Sequence, residues 1–287
     1  MMSRFWTDKG FVPTYYTFYG IIGMKRILLC PPDHYDIEYE INPWMHVDNK
    51  VDRKKSHESY SLLKKVYTTL GVEIYEIPQG VGLPDMVYTA NFGYVKDGTF
   101  IAASFKFPQR RSESLLASTF LKQKFGYETV LLPEGIFYEG QGDLLSDGKR
   151  FFFGWGKRSD REAKPYLESA LDADLIDFEL VDPYYYHLDT CFAPLTSELV
   201  VINPRSFTPH GKKQIYELFT DVIETNEEDN RYLACNLVHV GEDIVVGKGV
   251  TQPFKDALSA HGYRVHEIPM AEYLKGGGSV KCCSFEF

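Results

Sequence analysis

The sequence predicts a single α/β domain on three observations. Short β-forming runs recur from end to end, at residues 26–30, 72–77, 86–95, 99–104, 128–132, 144–146, 150–154, 175–179, 191–195, 199–202, 234–240, 243–247 and 264–267. Helical patterns at 56–70, 112–124, 161–170, 210–218 and 251–261 separate them, so the order reads strand pair, helix, strand, and then the same again. That alternation is the signature of α/β units. No linker, low-complexity tract or charge block divides the 287 residues, a length that one large α/β domain accommodates.

Taken in order, the first strand starts at Met24-Lys-Arg-Ile-Leu-Leu-Cys30. Residues 1–23 hold aromatics and few charges without a continuous apolar stretch, which makes a poor signal peptide. They read as an extension outside the fold, leaving 24–287 as the folded domain. The coarse recurrence of similar units points to quasi-repeats around an axis. The last helix-then-strand step, 251–267, is expected to close onto a C-terminal strand that follows a mobile glycine turn.

Hydrophobic residues make up 44% of the chain and charged ones 25%, with a net charge of −9. These proportions fit a soluble globular protein, and the acidic balance argues against a nucleic-acid surface, which needs a basic stripe. No apolar run reaches the length of a membrane span. Five cysteines without CxxC spacing read as a reducing, cytoplasmic setting with neither a disulfide framework nor a zinc knuckle.

Polar residues in four places could carry chemistry. Residues 275–287, Lys-Gly-Gly-Gly-Ser-Val-Lys-Cys-Cys-Ser-Phe-Glu-Phe, set Cys282 beside Lys281 at a glycine-led turn; a neighbouring cation lowers a thiol pKa and makes a nucleophile. The bland alternative is that Cys282 and Cys283 fill a core edge. In His187-Leu-Asp189-Thr-Cys191 the His and Asp share strand parity, so a carboxylate could orient a general acid/base; a metal site is weaker, lacking a second ligand pair. Phe137-Tyr-Glu139-Gly-Gln-Gly142-Asp143 combines carboxylates with glycines that either admit a ligand or make a loop. Pro84-Asp85-Met-Val-Tyr88-Thr-Ala-Asn91 sets polar groups in what reads as a central strand, where they must find partners or serve a ligand. Asn42, before Pro43, is by itself a turn signal. Arg110 and Arg158 follow strand ends, as solvated charges or carboxylate clamps. One Cys, one His, carboxylates, an amide and two arginines, with no phosphate loop or cofactor fingerprint, suit thiol covalent catalysis on a small polar substrate.

In this combination and order, His187-Leu-Asp189-Thr, Glu139-Gly-x-Gly-Asp143 and Cys282 after a glycine run resemble the guanidine-modifying enzymes of the pentein fold: arginine deiminases, dimethylarginine dimethylaminohydrolases and amidinotransferases. The resemblance spans residues 24–287 and implies a pseudo-symmetric five-bladed α/β propeller of ββαβ units around a central substrate. Glu38-Tyr-x-Ile-Asn42-Pro-Trp-Met45, Pro84-Asp-Met-Val-Tyr-Thr-Ala-Asn91, Tyr186-His-Leu-Asp-Thr-Cys-Phe192 and Gly277-x-x-x-Lys-Cys282 are most similar to the arginine dihydrolase modules of cyanobacteria, which take arginine to ornithine, ammonia and carbon dioxide.

The resemblance implies Cys282 as nucleophile, His187 as general acid/base, and Glu139 and Asp189 as guanidinium-binding acids. Asn91 falls where deiminases carry a guanidinium-pairing Asp. Asp85 falls on the residue that meets the α-amino group, and Tyr88 beside it joins the expected substrate-binding set. Arg110 and Arg158, each 19 residues after its anchor Asn91 or Glu139, fall on carboxylate clamps, and Asn42 on an asparagine characteristic of dihydrolases. No metal or organic cofactor is implied; the partner is arginine or a close guanidino analogue, with a homo-oligomer left open. Gly277 replaces a deiminase arginine, and the sequence stops five residues after Cys282, where long dihydrolases continue into another module whose activity is expected to be absent. Two other activities stay open, arginine deiminase and dimethylarginine hydrolase, as does a non-catalytic pentein-fold binding protein.

Overall fold

A strand that is buried on both faces is a near-continuous apolar run, and such strands are the spines of this molecule. The computed structural model describes residues 24–287; the extension read at 1–23 lies outside the described residues. The elements run β1 (Arg26–Leu29), α1 (Arg53–Thr69), β2 (Glu73–Glu76), β3 (Gly93–Lys96), β4 (Thr99–Ala102), α2 (Arg111–Phe125), β5 (Glu128–Val130), β6 (Leu144–Ser146), β7 (Phe151–Trp155), α3 (Lys164–Leu171) and β8 (Leu175–Glu179). They continue with β9 (Phe192–Pro194), β10 (Leu199–Ile202), α4 (Pro209–Leu218), β11 (Asp221–Glu224), α5 (Glu227–Arg231), β12 (Val238–Val240), β13 (Asp243–Gly247), α6 (Gln252–Ala260), β14 (Arg264–Ile268), α7 (Ala271–Leu274) and β15 (Phe285–Glu286).

Among the described residues the strands form five three-stranded sheets, ordered β15-β1-β2, β3-β4-β5, β6-β7-β8, β9-β10-β11 and β12-β13-β14. Each central strand pairs antiparallel on one side and parallel on the other. The parallel partner requires a crossover, and α1, α2, α3, α4 and α6 supply it. Thr208 and Thr251 cap α4 and α6 with their side chains, each followed by a proline in the first turn.

The apolar interior gathers in clusters that each join two successive sheets: Leu28 with Phe100, Ile101 with Phe153, Phe152 with Val200, Val201 with Ile244, and Val245 with Ile27. The last pair couples the fifth sheet to the first.

Several expectations need correction. The segment 86–95 is not one strand: it is two 3-10 turns, Pro84–Val87 and Thr89–Phe92, before β3. An apolar run of this length fits a buried turn as well as a strand, and Pro84 opens the first turn. His187 likewise precedes a 3-10 turn, Leu188–Thr190, and Asp189 lies within it, rather than the two sharing a strand face. Of 234–240 only β12 is strand, and β11 escaped the reading because its four residues, two of them acidic, carry little pattern. The step 251–267 pairs β14 with β13, whereas β15 pairs with β1. Glycines 276–278 are buried rather than mobile.

Because β15 completes the first sheet, and Phe285 is fully buried against Phe100 with ring centroids 6.0 Å apart, Phe285→Ala is expected to cost about 3–5 kcal/mol. Urea unfolding measures this; a loss below about 1 kcal/mol would detach β15 from the core.

Candidate active site

The first strand of four sheets, and β15, are each entered through a tight buried turn, and these turns deliver the polar residues. Asn91 lies in the 3-10 turn before β3, Glu139 and Asp143 flank the turn Gly140–Gly142 before β6, and His187 and Asp189 lie at the turn before β9. Asn236 precedes β12, and Cys282 lies in the turn before β15. The turns are laced together: Ala90 N donates to the Cys282 carbonyl at 3.0 Å, and Phe285 N to Thr89 Oγ1 at 3.1 Å. They also approach too closely for side chains at two glycines. A Cβ on Gly142 would lie 2.3 Å from Asn91 Nδ2, and one on Gly140, at φ +63°, 2.6 Å from Gly93 N.

Glu139 is wholly buried. Its Oε2 accepts from Arg158 Nη1 at 2.8 Å and from His187 Nε2 at 2.9 Å. Against the burial that would raise it, Arg158 and His187 hold this carboxyl well below the usual range. Burial, with Arg158 and Arg110 nearby and only Glu139 opposing, lowers His187 to about 4. Since Nε2 donates to the carboxylate, Nδ1 is the acceptor in the neutral ring. Asn91 Nδ2 lies 3.5 Å from Nδ1 and donates to the Glu139 carbonyl at 3.2 Å.

Arg110 Nη1 donates to Asn91 Oδ1 at 3.0 Å, which fixes which way that amide points. Arg110 is itself gripped by Glu113, Nε to Oε1 at 3.0 Å and Nη2 to Oε2 at 2.8 Å, and reaches the Asp85 carbonyl at 3.3 Å. Asp143 ties this wall to the next turn, accepting from Ser159 Oγ at 2.6 Å and Leu188 N at 3.1 Å.

Cys282 forms the facing part of the site. Its Sγ lies 3.3 Å from Asp189 Oδ2, and Asn236 Nδ2 lies 3.1 Å from Sγ. Burial first, and Asp189 second, push the thiol well above its ordinary value. Burial also raises Asp189 to about 7, and its Oδ1 is buried without a partner. The expected help from Lys281 is not there: its ammonium turns away to Gln141 Oε1 at 2.7 Å and Glu286 Oε1 at 2.8 Å. A turn, unlike a strand, also leaves Cys282 and Cys283 in one apolar cluster rather than on opposite faces.

The other expected residues border this centre. Asp85 accepts from the Tyr39 hydroxyl at 3.1 Å through Oδ2, while Oδ1 is buried and unpartnered; burial raises its pKa. Tyr88 spends its hydroxyl on Tyr35 and the Tyr273 carbonyl, both at 2.7 Å, and its ring floors the glycine run, where a Cβ on Gly278 would come within 2.4 Å. Asn42, half-buried, donates to the Gly276 carbonyl at 3.0 Å. Arg158 stacks on Tyr186, 4.5 Å to the ring centroid, and Tyr186 donates to the Gly277 carbonyl at 3.3 Å. Asn91, Arg110, Glu139, Arg158 and His187 thus form one bonded network, and Cys282 with Asp189 another beside it.

Sequence reading missed Asn236, Glu113 and Tyr39. Glu113 was findable, standing three residues after Arg110 on a helical pattern. Asn236, between Cys235 and Leu237, carries no motif. No group of three or more His, Cys, Asp or Glu side chains among the described residues is placed to hold a metal ion, all five cysteines are free, and no described helix is long and apolar enough to cross a membrane.

The His187 shift has a definite sign. A ring whose pKa falls from 6.5 to about 4 is neutral above that value, so its NMR ring-proton shifts are expected to stay flat from pH 5 to 8 in the ligand-free protein. A midpoint near 6.5 would mean that the ring is not buried as the structure has it, since burial lowers its pKa and Glu139 opposes that.

Comparison with known proteins fits this geometry. The family model for eukaryotic N,N dimethylarginine dimethylhydrolase matches residues 38–287. The N(G),N(G)-dimethylarginine dimethylaminohydrolase of Mycobacterium tuberculosis is 36% identical over 262 residues, 91% of this chain and 85% of that protein. The bifunctional arginine dihydrolase/ornithine cyclodeaminase ArgZ of Synechocystis sp. is 34% identical over 263 residues, covering 90% of this chain and 37% of that protein. The substrate-bound crystal structure of a mutant ArgZ N-terminal domain matches with a TM-score of 0.87 at 32% identity, over 91% of this chain and 97% of that one. A dimethylarginine dimethylaminohydrolase adduct, at 21% identity and a TM-score of 0.73, shares the fold. The chain belongs to the N,N dimethylarginine dimethylhydrolase family, within the pentein superfamily of guanidine-modifying enzymes.

Proposed function

We propose that this chain is an arginine dihydrolase, converting arginine and two waters to ornithine, two ammonia and carbon dioxide through a covalent intermediate on Cys282. The cyclic succession of core clusters supports a five-bladed propeller with the site on its axis. The observation that carries the reading is Asn91: Arg110 holds its oxygen, so its amide N–H₂ faces His187 and the Glu139 carbonyl.

The planar guanidinium lies against Glu139 and Asp189, whose Oδ1 lacks any other partner. Its charge opposes what raises the Cys282 thiol, namely burial and the Asp189 carboxyl. The thiol proton passes to neutral His187, the thiolate attacks the guanidinium carbon, and the imidazolium protonates the departing ammonia. His187 then activates water to release citrulline. The ureido product is neutral and presents a carbonyl oxygen. A carboxylate at position 91 would repel it, whereas an amide donates to it. A second thiolate attack expels the second ammonia, and water releases a carbamate that loses carbon dioxide to leave ornithine.

At the amino-acid end, Asp85 Oδ1 is an open acceptor for the α-ammonium. Of the five N–H groups a guanidinium offers, Arg110 spends four within the protein. Arg158 spends two, on Glu139 and the Ile41 carbonyl, and is the freer carboxylate clamp.

The match to dimethylarginine hydrolases favours one second reading, hydrolysis of methylated arginine. A catalytically silent binding protein would have no use for Cys282, His187, Glu139 and Asp189 together. Incubation with arginine, citrulline and dimethylarginine, with assay of ornithine, citrulline, ammonia and dimethylamine, separates the readings. Ornithine with two ammonia per arginine is expected; citrulline with one would make this a deiminase, and dimethylamine from dimethylarginine without arginine turnover the methylated-arginine enzyme. Asn91→Asp is expected to accumulate citrulline with ornithine formation reduced about tenfold or more, the loss of one hydrogen bond to a reacting species.

A further inference from the structure

The geometry points to Asn236 as the positioning residue of the nucleophile, holding Cys282 in its turn and stabilising its thiolate. This rests on Cys282 being the nucleophile. Asn236 is fully buried, and both halves of its amide are engaged. Oδ1 accepts from the backbone N–H of Ser279 at 3.1 Å and of Cys282 at 3.0 Å. Two backbone donors on one side settle the amide orientation, because the N–H₂ cannot face them. The donors therefore face the other way, toward the Asp189 carbonyl at 3.1 Å and Cys282 Sγ at 3.1 Å. The Asn236 backbone carbonyl accepts from Lys281 N at 3.2 Å. One side chain thus clips the nucleophile turn to the turn before β9 and places an N–H on the sulfur.

The groups around Sγ make that donor matter. Asp189 faces it from the turn before β9, and Cys283 is its neighbour on the same turn. Tyr88 lies under the glycine run and Tyr186 beside His187. Lys281 is committed to Gln141 and Glu286, and Arg158 and His187 to Glu139. Asn236 is the one side chain among the described residues that donates a hydrogen bond to Sγ. A sulfur that must ionise beside a carboxylate needs such a donor, since hydrogen bonds to the charged form lower a pKa.

The test is the pH dependence of Cys282 alkylation by iodoacetamide, read by peptide mass spectrometry so that Cys283 is scored apart. Asn236→Asp keeps the two accepting bonds and loses the donor; Asn236→Ala loses both without adding charge. The midpoint is expected to rise by about one unit or more in both, with about tenfold slower alkylation at neutral pH, and kcat for arginine to fall more than KM rises. A lower melting temperature with an unmoved midpoint would reduce Asn236 to a structural role and overturn the inference. A rise in Asn236→Asp alone would assign the effect to charge and overturn it as well. Should neither variant fold, the Asn236 side-chain amide resonances in the wild type decide: they are expected to shift at the Cys282 midpoint, and insensitivity there refutes the contact. Cys282→Ser is the separate arm. Retained arginine turnover in that variant sinks Cys282 as nucleophile whatever the alkylation midpoints show.

Discussion

A carboxylate that stays ionised without water must be surrounded by donors, and the Glu139 carboxylate organises this site by that requirement. Transferring such a group from water costs several kcal/mol unless it is paired and hydrogen-bonded. Arg158 and His187 both converge on Oε2, and Lys106 N reaches Oε1 at 3.3 Å. The bond from His187 fixes the ring tautomer, and that tautomer leaves Nδ1, the nitrogen facing Asn91, as an acceptor. Arg158 is held in turn against Tyr186, which bonds the glycine run ahead of Cys282. Remove the charge on Glu139 and each of these orientations loses its reason.

A second ion pair works one layer out. Glu113 is fully buried and raised to about 7, burial outweighing Arg110 beside it. Its bidentate grip holds Arg110 in place and commits Nη1 to Asn91. The amide at position 91 is therefore not free to flip. Its donors are held toward His187 and the Glu139 carbonyl by an arginine that touches neither through that bond.

What the sequence made legible follows from the physics of short segments. The alternation of strands and helices was readable because each central strand is apolar over most of its length and each crossover helix keeps a buried stripe, as Leu63 and Tyr67 do in α1. The residues Cys282, His187, Glu139 and Asp189 were readable as chemistry because their types are costly to bury without a use. The 3-10 turns that carry them were not readable, since Met86–Val87 and Leu188 are as apolar as strand residues and only tertiary contacts decide between turn and strand. Nor was the direction of Lys281: adjacency in sequence placed its charge beside the thiol, but its long side chain reaches Gln141 and Glu286 instead. Asn236 lay hidden for the same reason, its partners being 43 to 47 positions away.

The pairing of β15 with β1 joins Ile27 to Glu286, the widest sequence separation of any pairing in these sheets. Such contacts form late, because a long loop must close before the first bond is gained. The turn bearing Cys282 lies just before β15, and its thiol meets Asp189 and Asn236, on the turns before β9 and β12, only when these distant segments have come together. The surroundings of this sulfur are thus assembled by the same event that finishes the fold. A partly folded chain, whether on its way in or beginning to unravel, carries the cysteine without Asp189 and Asn236 against its sulfur. The environment of the thiol is therefore a built-in reporter of whether the first sheet is whole.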